Sequence, residues 1–70
     1  MKTIVSTMAG TVFKLVVSVG QDVHEGDDVI ILESMKMEVP VSAEFSGKVA
    51  KVLIGEGDFV NEGDALVELE

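Results

Sequence analysis

Seventy residues with a formal net charge of −8 and no cysteine describe at most one domain with a modest core. They exclude disulfides, thiolate metal sites and thiol nucleophiles, and they disfavour a nucleic-acid or anionic-membrane partner, because both require a basic surface. No apolar run approaches the roughly 18 residues of a membrane span, and Met1 to Val5 show neither the apolar core nor the cleavage site of a secretory signal, so a cytoplasmic location is the default expectation.

The segment Lys2 to Thr7, with Ile4 and Val5 at its centre, reads as a strand that ends in a turn around Met8-Ala9-Gly10. Thr11 to Val17 is the next strand. Its alternation is imperfect, since Val12 and Leu15 sit three apart, and a bulge or bend would let both face inward. Gly20 to Asp27 is a compact turn cluster, with Val23 placed between two glycines as a plug for the core. Val29 to Leu32 is a buried strand. After Glu33-Ser34-Met35-Lys36-Met37-Glu38 the chain resumes with Val39-Pro40-Val41. Pro40 cannot donate to a ladder, so its strand lies at an edge or begins there. Ser46-Gly47 turns the chain, Lys48 to Ile54 is a strand, Gly57 to Asp64 is a second turn cluster, and Leu66 to Leu69 is the final strand. No stretch has helical periodicity with caps.

The second half of that series repeats the first. Residues 8–33 align with residues 45–70 at a constant offset of 37, pairing Gly10 with Gly47, Gly20 with Gly57, Val23 with Val60, Gly26 with Gly63, and Glu33 with Glu70. Two units are too few for a solenoid, which needs about three. Two interlocked copies around one core, related by a pseudo-two-fold axis, are the simpler arrangement. One domain is expected over residues 1–70. In the second copy the chain terminus takes the place that the Lys36 segment takes in the first.

That segment breaks two local rules. If Met35 and Lys36 form a two-residue hairpin tip, Ser34 faces Met37, Glu33 faces Glu38, Leu32 faces Val39 and Ile30 faces Val41, with the last four on one core face. Such a tip wants positive φ and therefore Gly, Asn or Asp, and two glutamates directly opposite repel. Sites that break local rules are often functional. Turn chemistry alone leaves a second reading open, in which the loop is longer and relaxed and Lys36 is ordinary surface charge.

Other chemistry is sparse. His24 is the single histidine and lies among Asp22, Glu25 and Asp27, more in keeping with a polar turn residue than with a metal ligand. The Gly-x-x-Val-x-x-Gly-Asp clusters lack the lysine and the following helix of a phosphate loop, so turn chemistry accounts for them better. No Ser-His-Asp arrangement is visible, and catalysis by this chain alone is not expected. What it offers is a lysine, a compact amine on a flexible stem that can be acylated, between two adaptable methionines.

Glu33-Ser34-Met35-Lys36-Met37, together with Gly20-x-x-Val23-x-x-Gly26-Asp27, Ser46-Gly47 and Gly57-Asp58-x-Val60-x-x-Gly63, resembles the biotinyl-lysine motif and its surroundings in biotin carboxyl carrier domains of the biotinyl/lipoyl attachment family. The resemblance spans essentially the whole chain, whose short length is similar to stand-alone biotin/lipoyl attachment proteins. Ser34 departs from the commoner alanine. The resemblance implies an all-β flattened barrel-sandwich hybrid of two four-stranded antiparallel sheets. It implies covalent biotin on Lys36, installed from biotinyl-adenylate by a biotin protein ligase that reads Glu33, Ser34, Met35, Met37 and Glu38. It further implies a non-catalytic monomer whose biotin takes up carboxyl at a biotin carboxylase site and delivers it at a carboxyltransferase site. The alternatives are a lipoyl carrier, with lipoate on Lys36 from a lipoyl-attaching enzyme, and an unmodified β interaction module. Lipoyl domains share the fold but usually show Asp-Lys-Ala at the tip.

Overall fold

The computed structural model describes residues 2–70; Met1, the first residue of the expected domain, lies outside the described residues. The described chain is all β, with eight strands: β1 (Lys2–Val5), β2 (Gly10–Leu15), β3 (Asp22–Val23), β4 (Asp28–Ser34), β5 (Met37–Ser42), β6 (Gly47–Val52), β7 (Phe59–Val60) and β8 (Ala65–Leu69). They form two four-stranded antiparallel sheets, β5-β4-β2-β7 and β1-β8-β6-β3. The described residues include no helix long and apolar enough to cross a membrane.

The 37-residue repeat maps β2 onto β6, β3 onto β7 and β4 onto β8, and β1 onto β5. Applied to one sheet, it reproduces the strand order of the other. Each sheet therefore takes strands from both copies, and neither copy has a core of its own. Matching hydrogen bonds clasp the two: Gly26 N–H donates to the Ala43 carbonyl as Gly63 N–H donates to that of Ser6, and Gly20 N–H donates to the Val49 carbonyl as Gly57 N–H donates to that of Val12.

Between the sheets lies one apolar core. Ile4, Val12, Val23, Ile30, Leu32, Val41, Val49, Val60, Leu66 and Leu69 are among its fully buried members. Burial of a Val, Leu or Ile side chain is worth about 1.5–3 kcal/mol, so this cluster supplies most of the drive to fold. Val23 and Val60 plug the core as their glycine brackets suggest, but each also belongs to a two-residue strand that pairs with its neighbour. The turn clusters thus contribute the edge strands β3 and β7, which the sequence pattern does not show because two residues carry no alternation.

Bulges resolve the broken alternation. The β2–β4 register skips Phe13, and the β6–β8 register skips its counterpart Ala50. Val12 and Val49 are buried, while Leu15 and Val52 pack partly buried against the core. Strand ends move by a few residues from the expected bounds: β1 stops at Val5 and β2 at Leu15. Ser6 follows β1, fully buried, and its hydroxyl donates to the Met8 carbonyl at 2.6 Å. Pro40 lies in β5, an edge strand, where its missing N–H costs no ladder bond.

The repeated turn is built the same way twice. Asp27 accepts from His24 N–H at 2.9 Å through its side chain, and Asp64 from Asn61 N–H at 2.8 Å. Gly26 (φ 94°) and Gly63 (φ 88°) sit just before these aspartates in the left-handed region, which residues with a Cβ rarely enter.

Candidate functional site: a lysine on a strained hairpin tip

β4 and β5 form the longest ladder among the described residues, six paired rows, and the tip joins them. Ser34 pairs with Met37, Glu33 with Glu38, Leu32 with Val39, Ile31 with Pro40 and Ile30 with Val41, the register of a two-residue turn. Met35 (φ 52°) and Lys36 (φ 64°) are the only non-glycine residues with positive φ among the described residues. The tip is therefore not a longer, relaxed loop. A left-handed residue with a side chain costs roughly 1–2 kcal/mol, and two adjacent ones persist only because the paired strands hold them.

Of the four residues expected on the core face, Ile30, Leu32 and Val41 are buried. Val39 is only half-buried because it sits at the sheet edge near the tip. Below the tip β2 comes very close. A Cβ on Gly10 would meet the Glu33 carbonyl oxygen at 3.0 Å, so glycine is what lets β2 support β4 three residues from Lys36.

The two methionines cover no sheet edge: Met35 is 93% exposed and Met37 63%. Lys36 is exposed, and no described residue hydrogen-bonds to its ammonium or pairs with it. Glu33 and Glu38, also exposed, face each other across the strands on the outer side. Ser34 is half-buried between them and the tip. The structure thus brings Glu33, Ser34, Met35, Lys36, Met37 and Glu38 together in three cross-strand rows. An unpaired primary amine on a flexible side chain at a held, projecting tip fits attachment of an acyl group as an amide.

Elsewhere the surface gathers little. His24 is exposed, with Nδ1 3.7 Å from Asp27, and among the described residues no three His, Cys, Asp or Glu side chains converge as a metal would require. No pocket of ligand size is found among them. Sequence reasoning did not single out Phe13 and Phe59, both exposed; their signal lay in the comparison of the two copies.

The family model described as "Biotin-requiring enzyme" matches residues 2–69. The biotin/lipoyl attachment protein of Bacillus subtilis is 52% identical over 45 residues, which cover 64% of this chain and 62% of that protein. The biotin-dependent acyl-coenzyme A carboxylase alpha3 subunit of Mycobacterium leprae is 50% identical over 44 residues, 63% of this chain and 7% of that one. Among solved structures, the urea carboxylase of Kluyveromyces lactis superposes with a TM-score of 0.89 at 42% identity, covering 99% of this chain and 6% of the larger one. The chain thus spans less than two thirds of the length of each of these relatives.

Proposed function

Because the chain belongs to the biotin-requiring-enzyme family, matched over residues 2–69, we propose that it is a biotin carboxyl carrier with biotin held as an amide on Nζ of Lys36. The observation that carries this reading is the tip itself: an exposed, unpaired amine held between two exposed methionines on a turn that neither residue favours. In attachment within a biotin protein ligase, Lys36 Nζ would lose a proton to water and take the biotinyl group from biotinyl-adenylate as an amide, with AMP leaving. Biotin bound there supplies a ring nitrogen that accepts and releases a carboxyl group. The chain's own part is positional. The β4–β5 hairpin fixes where the Lys36 stem begins, and the four-carbon stem lets the end of the arm turn toward the site of a biotin carboxylase or of a carboxyltransferase. The protein catalyses neither half-reaction.

Met35 and Met37 are the side chains a ligase would touch first, because they flank Lys36 and stand clear of the sheet. Glu33, Ser34 and Glu38 complete the surface next to them. Lipoate is the second reading. The name of the Bacillus subtilis relative gives both groups and does not separate them, and the Met-Lys-Met tip speaks against lipoate.

Intact mass after expression in cells supplied with both biotin and lipoate tests the proposal. One biotin is expected on the chain and none on Lys36→Ala. Slower incorporation is expected for Met35→Ala/Met37→Ala at an unchanged denaturation midpoint. Biotin on Lys36→Ala, or lipoate in place of biotin on the natural chain, overturns the assignment.

A further inference from the structure

The repeat provides an internal control for every outward-facing residue, because each position on one sheet has a counterpart on the other. On the lysine-bearing sheet, Phe59 pairs with Thr11, and Phe13 is the bulged residue two positions along β2. Both point away from the core, 64% and 51% exposed. At the same offset of 37, the other sheet places Asp22 opposite Lys48 and Ala50 in the bulge. The fold therefore needs no aromatic residue at either place. It has two only on the sheet that carries Lys36, exposed where their burial contributes nothing to the core.

Charge narrows what covers them. Glu33 and Glu38 continue the Phe59–Thr11 row across the sheet to its edge, and the chain as a whole carries a formal charge of −8. Laid face to face, a second copy would offer the same two acids against a single base on the strands of that sheet, Lys14, and like-charge juxtaposition costs several kcal/mol. A partner with lysines and arginines around an apolar centre is complementary. Location narrows it further. Phe13 on β2 lies one strand spacing from β4 and Phe59 on β7 lies two, about 5 and 10 Å, so the aromatics stand beside the tip and not on it. An enzyme that takes in the unextended lysine closes over the end of the hairpin. One that receives a lysine lengthened by an acyl arm can lie against the flat of the sheet.

We infer that the outer face of the β5-β4-β2-β7 sheet, centred on Phe13 and Phe59, is the docking surface for the carboxylase that uses the Lys36 arm, and that this partner meets it with an apolar patch rimmed by basic side chains. The inference rests on the carrier reading above.

The test exchanges the two faces. Binding of the chain to the purified biotin carboxylase and carboxyltransferase subunits of the same cell is measured for the natural sequence, for Phe13→Ala/Phe59→Asp, and for that pair combined with Ala50→Phe/Asp22→Phe. Each is also made with Lys36→Ala, so docking is read without the arm. Phe13→Ala/Phe59→Asp is expected to raise Kd for one subunit at least about tenfold, with or without Lys36. Biotin incorporation stays at the natural rate, and the natural Kd weakens as salt is added. Aromatics on the other sheet do not restore binding. Should the double variant unfold, Phe59→Thr alone carries the test.

The inference is overturned by an unchanged Kd, by no binding of the natural chain to either subunit, or by restored binding from the opposite sheet. It is also overturned if the variant loses biotinylation with Kd unchanged, which assigns the face to the ligase, or if the natural chain sediments as a dimer that the variant dissolves. If the natural chain carries no biotin, intact mass shows the carrier reading to have failed, while aromatic-dependent binding of the Lys36→Ala chains is still read by itself.

Discussion

Lys36 and Met35 are held in a backbone conformation that their side chains disfavour, φ 64° and 52°. A turn chosen for stability would be Asn-Gly, which adopts the same left-handed pair without strain. Met35→Asn/Lys36→Gly is therefore expected to stabilise the protein by about 1–2 kcal/mol and to remove the amine altogether. Urea denaturation of the two proteins is the measurement, and an equal or lower midpoint for the variant would mean that the tip is not strained. The lysine and its strain are half legible in the sequence. The Glu33–Glu38 clash and the absence of Asn or Gly mark a conflict, but they do not say whether the chain resolves it by strain or by a longer loop. The register of six paired rows in β4 and β5 decides, and that register depends on core contacts beyond the hairpin.

The turn elements divide their glycines by cause. A methyl at Gly26 would meet nothing within 4 Å, yet its φ is 94°, so Gly26→Ala tests backbone strain with no steric contribution. A loss of about 1 kcal/mol is expected, and Gly26→Asn loses less, because asparagine tolerates the left-handed region. Thermal melts of the two variants check the order; alanine equal to or better than asparagine would refute it. The six longer strands are readable from their β-branched runs, and the bulges from apolar residues three apart, but β3 and β7 are not. A two-residue strand exists because a neighbour pairs with it, and Asp22–Val23 looks like any polar turn until β6 lies beside it.

For the molecule as a whole, the repeat carries most of the prediction. An offset of 37 fixes which strands are equivalent, and the sheet orders β5-β4-β2-β7 and β1-β8-β6-β3 are the same list under that offset. What the offset does not show is the exchange of edge strands, which places β5 with β4 and β1 with β8. That exchange joins the halves into one cooperative unit: opening the β4–β5 hairpin removes Ile30, Leu32 and Val41 from a core shared by both copies. Asymmetry between the copies is equally informative, since Phe13 and Phe59 stand out only against Ala50 and Asp22.

A protruding lysine is nominally the first place for trypsin to cut, and exposed loop tips are preferred sites of nicking. Here the bond after Lys36 sits inside a two-residue reversal, with paired strands running directly up to it. A protease needs several residues in extended form, and this tip has none to lend unless β4 and β5 come apart. Cleavage at Lys36 is therefore tied to unfolding of the core, with a rate that follows global stability. Trypsin acting on the unmodified chain at a series of urea concentrations reads this directly: the rate of cutting after Lys36 is expected to rise in step with the unfolded fraction. Cutting that ignores urea would mean the hairpin opens alone. The same tight turn that presents the amine to an enzyme acting on side chains withholds the backbone from one acting on peptide bonds.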